Sequence, residues 1–251
     1  MEAKLKTKNL SIGYNDKVIV DSINFDLSPG DFIVIIGKNG SGKSTLLKTL
    51  SNILPKISGD ILLNNMNFDK LSGKEKSKLV SIVLTEKIDI PLTVNEVLQL
   101  GRQAFSDNLD RLSTKDYEII DKIVSELELK NLLNRPLQEL SDGEQQKVMI
   151  GRTLVQETPI ILLDEPTTHL DIENKAKLLN MLKEISKSQN KIVILSTHDI
   201  NLVLPIANKI WVISNNSFIE LDQSNIVNQF EKIFDNRIVK YNSSCKAFRL
   251  A

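Results

Sequence analysis

Nine residues, Gly37-Lys38-Asn39-Gly40-Ser41-Gly42-Lys43-Ser44-Thr45, constrain this chain more than any other segment. They fit the pattern G-x-x-x-x-G-K-[ST], which carries meaning only between a strand and a helix. Both neighbours are legible. The apolar run Phe32-Ile33-Val34-Ile35-Ile36 precedes the loop, and a helical run over residues 46–53 follows it. Glycines at 37, 40 and 42 let the backbone take positive φ and bring successive amides toward an anion at the positive end of a helix dipole. Lys43 adds a point charge suited to β- and γ-phosphates. The Ser44 hydroxyl suits Mg²⁺, which keeps several waters and needs few protein ligands beside phosphate.

The rest of the chain repeats the strand type that leads into this loop. Val80-Ser81-Ile82-Val83-Leu84, Ile160-Ile161-Leu162-Leu163, Ile192-Val193-Ile194-Leu195 and Ile210-Trp211-Val212-Ile213 are short and almost wholly apolar. Strands of that kind are buried on both faces, the habit of a parallel sheet covered by helices, so the class is α/β. The opening differs: residues 5–14 and 18–27 alternate apolar with polar side chains, as antiparallel strands with one wet face do, and Pro29-Gly30 supplies a turn. Residues 92–158 lack strand patterning. Thr93-x-x-Glu96, like Ser72-x-x-Glu75 earlier, matches the capping box that opens a helix. The reading is a single domain over residues 1–251, with a core of 1–91 and 159–251 and an inserted helical subdomain at 92–158.

Charge and cysteine content exclude several classes. Lysine plus arginine and aspartate plus glutamate both number 32, so no global positive field exists to hold nucleic acid or an anionic membrane. The single Cys245 cannot form an internal disulfide and reads as an inert thiol in a reducing compartment. The N-terminus lacks a signal-peptide apolar stretch, and no apolar run is long enough to span a bilayer. The expected location is therefore cytoplasmic, with any membrane association made through a protein partner.

A second chemical element closes the strand at 160–163. Asp164-Glu165 offers two carboxylates where ligands bind in such sheets, beyond the carboxyl ends of parallel strands. One suits Mg²⁺ held through water, the other an attacking water that must be oriented or deprotonated. Asp164 takes the first role and Glu165 the second.

With these two motifs located, residues 5–219 closely resemble the ATPase subunits of ABC transporters. Leu140-Ser141-Asp142-Gly143-Glu144-Gln145 is similar to the family signature LSGGQ, Thr168-His169-Leu170-Asp171 to the D-loop, and Ser196-Thr197-His198-Asp199 to the segment carrying the switch histidine. Tyr14 corresponds to the aromatic residue that stacks on adenine. The resemblance implies a P-loop NTPase fold with a mainly parallel core sheet, an N-terminal antiparallel β layer and an inserted helical subdomain. It also implies an ATPase using ATP and Mg²⁺, with two copies sandwiching two nucleotides. Ser141 and Gly143 of one copy would then face the phosphate loop of the other, and Glu165, His198 and Lys43 would serve catalysis.

Two departures from the family pattern stand out. Asp142 and Glu144 replace the usual glycine and glutamine of the signature, and Thr85, followed by Glu86, occupies the position of the glutamine that senses Mg²⁺. Residues 92–102 resemble the corresponding segment of importers for iron-siderophore complexes, haem and vitamin B12. That implies a transmembrane permease docked over residues 85–102, fed by a substrate-binding protein, with the ATPase on the cytoplasmic side. A soluble ABC ATPase is the alternative, disfavoured by one phosphate loop and no sustained heptads. A non-hydrolysing ATP-binding regulatory module is another, against which Asp164, Glu165 and His198 argue.

Overall fold

The computed structural model describes residues 3–85, 90–105, 112–222, 239–242 and 247–250. Glu86 and Cys245 lie outside them. The uniformly apolar runs form β3 (Phe32–Ile36), β6 (Val80–Val83), β7 (Ile160–Leu163), β8 (Ile192–Ser196) and β9 (Lys209–Ser214), and β10 (Ser217–Asp222) completes a six-stranded sheet. Its order is β10-β9-β3-β8-β7-β6, parallel throughout except for the β9–β10 hairpin. Register aligns Ile35 with Ser196, and Leu163 with both Leu195 and Val83. The carboxyl ends of four strands thus meet along one edge.

Every residue of β3, β7 and β8 is buried, because both faces of the sheet are covered. Alternate side chains feed two cores. Ile33, Ile35, Ile192, Ile194, Ile160 and Leu162 pack toward α1 (Lys43–Leu50) and the N-terminal β layer. Phe32, Val34, Val193, Leu195, Ile161 and Leu163 pack toward α3 (Val94–Leu100), α4 (Thr114–Glu126), α5 (Asp142–Val155) and α6 (Ile172–Ser188). Each such aliphatic side chain contributes about 2 kcal/mol by leaving water, which offsets the entropy of ordering the chain.

The β layer is antiparallel, in the order β2-β1-β4-β5, with β1 (Leu5–Tyr14), β2 (Lys17–Leu27), β4 (Ser58–Leu63) and β5 (Met66–Asn67). It is riveted to the main sheet by aromatic contacts: Trp211 on β9 lies 4.4 Å from Phe25 and 5.2 Å from Phe218 between ring centroids. The indole N–H donates to Glu220 at 2.8 Å.

Between β6 and β7 the described residues form helices. Thr93 caps α3 and Ser113 caps α4, each in a reciprocal box with the carboxylate three residues on, and Ser72 does the same for α2 (Gly73–Leu79). Arg102 ties this region to the sheet. Buried at 6% exposure, it meets Asp116 at 2.7 Å, the Val155 carbonyl at the end of α5 at 2.6 Å and Glu157 at 3.1 Å.

Candidate active site

The loop between β3 and α1 turns on two glycines in left-handed backbone, Gly40 at φ 76° and Gly42 at φ 112°, a region where a side chain would be strained. Gly42 caps α1 without a side-chain bond, leaving the first amides of the helix to a ligand. Lys43 folds back over the loop, donating to the Gly37 carbonyl at 2.9 Å and the Lys38 carbonyl at 3.3 Å. Burial pushes its ammonium pKa down, while the Glu165 and Asp164 carboxylates pull it up. Phosphate loop and carboxylates therefore share one electrostatic neighbourhood.

Ser41 Oγ is buried there with no protein partner. Tyr14, 44% exposed, has its hydroxyl 3.4 Å from Thr45 Oγ1, so its ring stands beside the first turn of α1. A cavity of about 530 Å³ opens between Tyr14, Val18, Lys38, Gly40 and the Asn215-Asn216 turn. Asn39 lines it too, and Ser44 is half-buried on α1.

At the end of β7, Asp164 is buried at 3% exposure, and its Oδ1 accepts the Ser196 hydroxyl at 2.6 Å. The same hydroxyl accepts the Glu165 N–H at 2.9 Å. Glu165 adopts φ 48°, an unfavoured conformation for a residue with a Cβ. That bend carries its carboxylate to His198, whose Nε2 lies 2.7 Å from Oε1. Thr85, just past β6, donates its hydroxyl to the Asp164 carbonyl at 3.3 Å. The strand order explains the gathering: β8 runs between β3 and β7, which sets Ser196, Thr197 and His198 between the phosphate loop and the carboxylates.

Ser141 and Gly143 stand at the N-terminus of α5. Ser141 caps the helix: its hydroxyl donates to Glu144 Oε2 at 2.8 Å, and its N–H does so at 2.9 Å. These bonds hold the Glu144 carboxyl below its ordinary pKa. A Cβ at Gly143 would come within 3.1 Å of the His169 carbonyl, so the helix start packs closely on the loop after β7. Ser141 and Asp142 are exposed.

Sequence reasoning gave no role to Ser196, Thr167 or Lys175. The signals for Ser196 were a polar residue closing an apolar strand and its place at the head of the histidine segment, neither of which gives its partners.

Among the described residues, no group of three or more His, Cys, Asp or Glu side chains could hold a metal by itself. The oxygens on offer, from Ser44 and Asp164, are hard and few. That set suits Mg²⁺ drawing its other ligands from phosphate and water.

Residues 20–168 match the family model described as ABC transporter. The iron(3+)-hydroxamate import ATP-binding protein FhuC of Bacillus subtilis is 37% identical over 198 residues, 78% of this chain and 74% of that one. A transporter described as of the metal-chelate ABC type, in an inward-facing conformation, superposes with a TM-score of 0.78 at 28% identity, covering 99% of this chain and 96% of that one. A dimeric ATP-binding cassette in a post-hydrolysis state with ADP and Pi does so with a TM-score of 0.77 at 26% identity, covering 87% and 98%. With the phosphate loop, the carboxylate pair and the histidine gathered on one sheet edge, these likenesses are decisive: the chain belongs to the ABC transporter family and is one of its ATP-binding subunits, an ATPase.

Proposed function

We propose that this chain hydrolyses Mg-ATP with Glu165 as general base, and that hydrolysis energises import of an iron complex through a membrane permease. The observation that carries the chemistry is the 2.7 Å contact between Glu165 and His198, made beside the buried Asp164 and within electrostatic reach of Lys43. Residues 37–45 cradle the triphosphate with backbone amides, Lys43 bears on the β- and γ-phosphates, and Tyr14 stacks on adenine. Ser44 and Asp164 would hold Mg²⁺, the latter through water, with Thr85 nearby. The ion, when bound, neutralises phosphate charge.

Water attacks the γ-phosphorus in line and gives its proton to Glu165 as the bond to the ADP oxygen breaks. His198 holds the Glu165 carboxylate in place and bonds the γ-phosphate. The site is completed by Ser141 and Gly143 of a second copy, so two chains enclose two nucleotides. Exposure of Ser141 at the positive end of α5 supports this, since among the described residues it stays open to a partner. The Ser141 hydroxyl must turn from Glu144 to reach phosphate, leaving Glu144 its bond to the Ser141 amide.

The division into a core of 1–91 and 159–251 and a helical subdomain of 92–158 fits this cycle, because the helices between β6 and β7 can swing as ATP draws the copies together. The permease would dock over residues 85–102. A substrate-binding protein would act on the far side of the membrane. No described helix is long and apolar enough to cross a bilayer, so attachment on the cytoplasmic side would run through the permease. The iron cargo rests on the hydroxamate-import relative and the metal-chelate transporter. Uptake of a labelled ferric hydroxamate into vesicles holding the chain with its permease, with the substrate-binding protein outside and ATP on the ATPase side, tests it. ATP-dependent accumulation is expected; hydrolysis without uptake of any iron chelate would remove the cargo assignment and leave the ATPase.

A further inference from the structure

The stitching between β7 and β8 extends into a cluster that the chemistry above does not use. Asp199 follows His198 in the chain. Its Oδ2 accepts the Thr167 hydroxyl at 2.8 Å and lies 2.9 Å from Lys175 Nζ on α6, which also reaches Oδ1 at 3.1 Å. Its N–H donates to Thr197 Oγ1 at 3.0 Å, and the two threonine hydroxyls lie 3.4 Å apart. Both threonines are buried. Thr167 stands two residues beyond Glu165 and directly before residues 168–171. The segments carrying Glu165 and His198 are thus clamped twice, by the Glu165–His198 contact and by Thr167–Asp199.

Glu165 needs such anchors. A non-glycine residue held at φ 48° stays there only when its surroundings over-determine it. Ser196 fixes the amide of Glu165, and Thr167 fixes the chain just after it. His198 is nearly half exposed, with little packing of its own to hold the ring, so the backbone on either side sets its position. Lys175 supplies a countercharge that holds the Asp199 carboxylate turned toward Thr167.

We infer that Asp199, clamped by Lys175 and Thr167, is a positioning residue for hydrolysis. It fixes the separation of His198 from Glu165 and makes the histidine loop and residues 168–171 move as one body. The inference rests on the roles proposed for Glu165 and His198, and it requires no contact between Asp199 and nucleotide.

Steady-state phosphate release and calorimetric ATP affinity on the full chain test it. Asp199→Ala should lower kcat about tenfold or more, in line with the cost of misplacing catalytic groups by an ångström. Its KM and ATP affinity should stay within about twofold of wild type. Asp199→Asn, whose amide oxygen still accepts from Thr167, should recover a good part of the loss. Lys175→Met should lower kcat in the native background and add nothing in Asp199→Asn, where its partner charge is already gone. Should Asp199→Ala fail to fold, the last two variants carry the test.

A lowered Tm with unchanged kcat per folded molecule would overturn the inference in favour of a plain surface ion pair. Weakened ATP affinity would overturn it in favour of a direct ligand. Glu165→Gln and His198→Ala, measured in parallel, separate the two levels of argument. If they keep activity, the catalytic assignment falls; if they lose it while Asp199→Ala and Lys175→Met do not, only the inference falls.

Discussion

At the residue scale the site depends on a few side chains that do little for the fold. Lys43 spends its ammonium on two carbonyls of its own loop, which a triphosphate would replace with stronger, charge-assisted bonds. Lys43→Ala should therefore lower ATP affinity at least about tenfold with small loss of stability, since it removes a phosphate partner rather than core packing. Calorimetric titration with Mg-ATP checks this; unchanged affinity would contradict the placement of the triphosphate. The residues of the two motifs were legible because each consists of chemistry-bearing groups at fixed offsets from an apolar strand. Ser196 was not, although it holds both Asp164 and Glu165. Its role depends on which strand lies beside β7, and nothing within four residues of it in the chain reports that.

At the element scale, uniform burial made the five parallel strands readable, while their order was not. Neighbours in the sheet are distant in sequence, as with β3 and β8, and pairing is decided by crossovers rather than by local pattern. The capping boxes Ser72–Glu75 and Thr93–Glu96 were legible; Ser113–Asp116 was not, because aspartate at that place departs from the usual glutamate or glutamine, and Ser141–Glu144 lay inside the segment similar to the family signature. In the sequence Arg102 only closed the segment 92–102, yet its partners at 116, 155 and 157 make it a buried tie between α3, α4, α5 and the approach to β7. Arg102→Met should cost about 3 kcal/mol, the scale of removing one member of a buried charge network. Urea unfolding checks this, and a loss below about 0.5 kcal/mol would mean that the tie contributes no more than a surface pair.

Beside that tie, Lys191 donates to the Thr158 carbonyl at 3.0 Å. Burial pushes its pKa down to about 8 from an ordinary 10.5, against an upward pull from Glu157. Between those two values the unfolded chain binds a proton that the folded chain does not, so this group raises stability as pH rises through that window. Below about 8 both states are protonated and its burial penalty is constant. The stability of wild type relative to Lys191→Met should therefore increase from about pH 8 to about pH 10.5 and be flat below. A difference that falls across the window would contradict the sign.

At the scale of the whole molecule, one chain holds the phosphate loop and carboxylates together but presents Ser141 outward at the start of α5. A site that needs the second copy has a specific activity that depends on concentration. Phosphate release by the isolated chain should rise faster than linearly until the dimer saturates. Strict proportionality, with permanent dimers excluded by sedimentation, would contradict shared sites. The most direct test of the central claim, that Glu165 is the base for hydrolysis, is phosphate release by Glu165→Gln paired with size-exclusion chromatography in Mg-ATP. Glutamine keeps the shape and can still bond the attacking water, but it cannot take its proton, while Lys43, Ser44 and Asp164 remain. Hydrolysis at least about a hundredfold slower is expected, within the range of general-base effects, with ATP affinity intact and an ATP-bound dimer accumulating. A mutant that releases phosphate at near wild-type rate would contradict it and leave His198 as the next candidate.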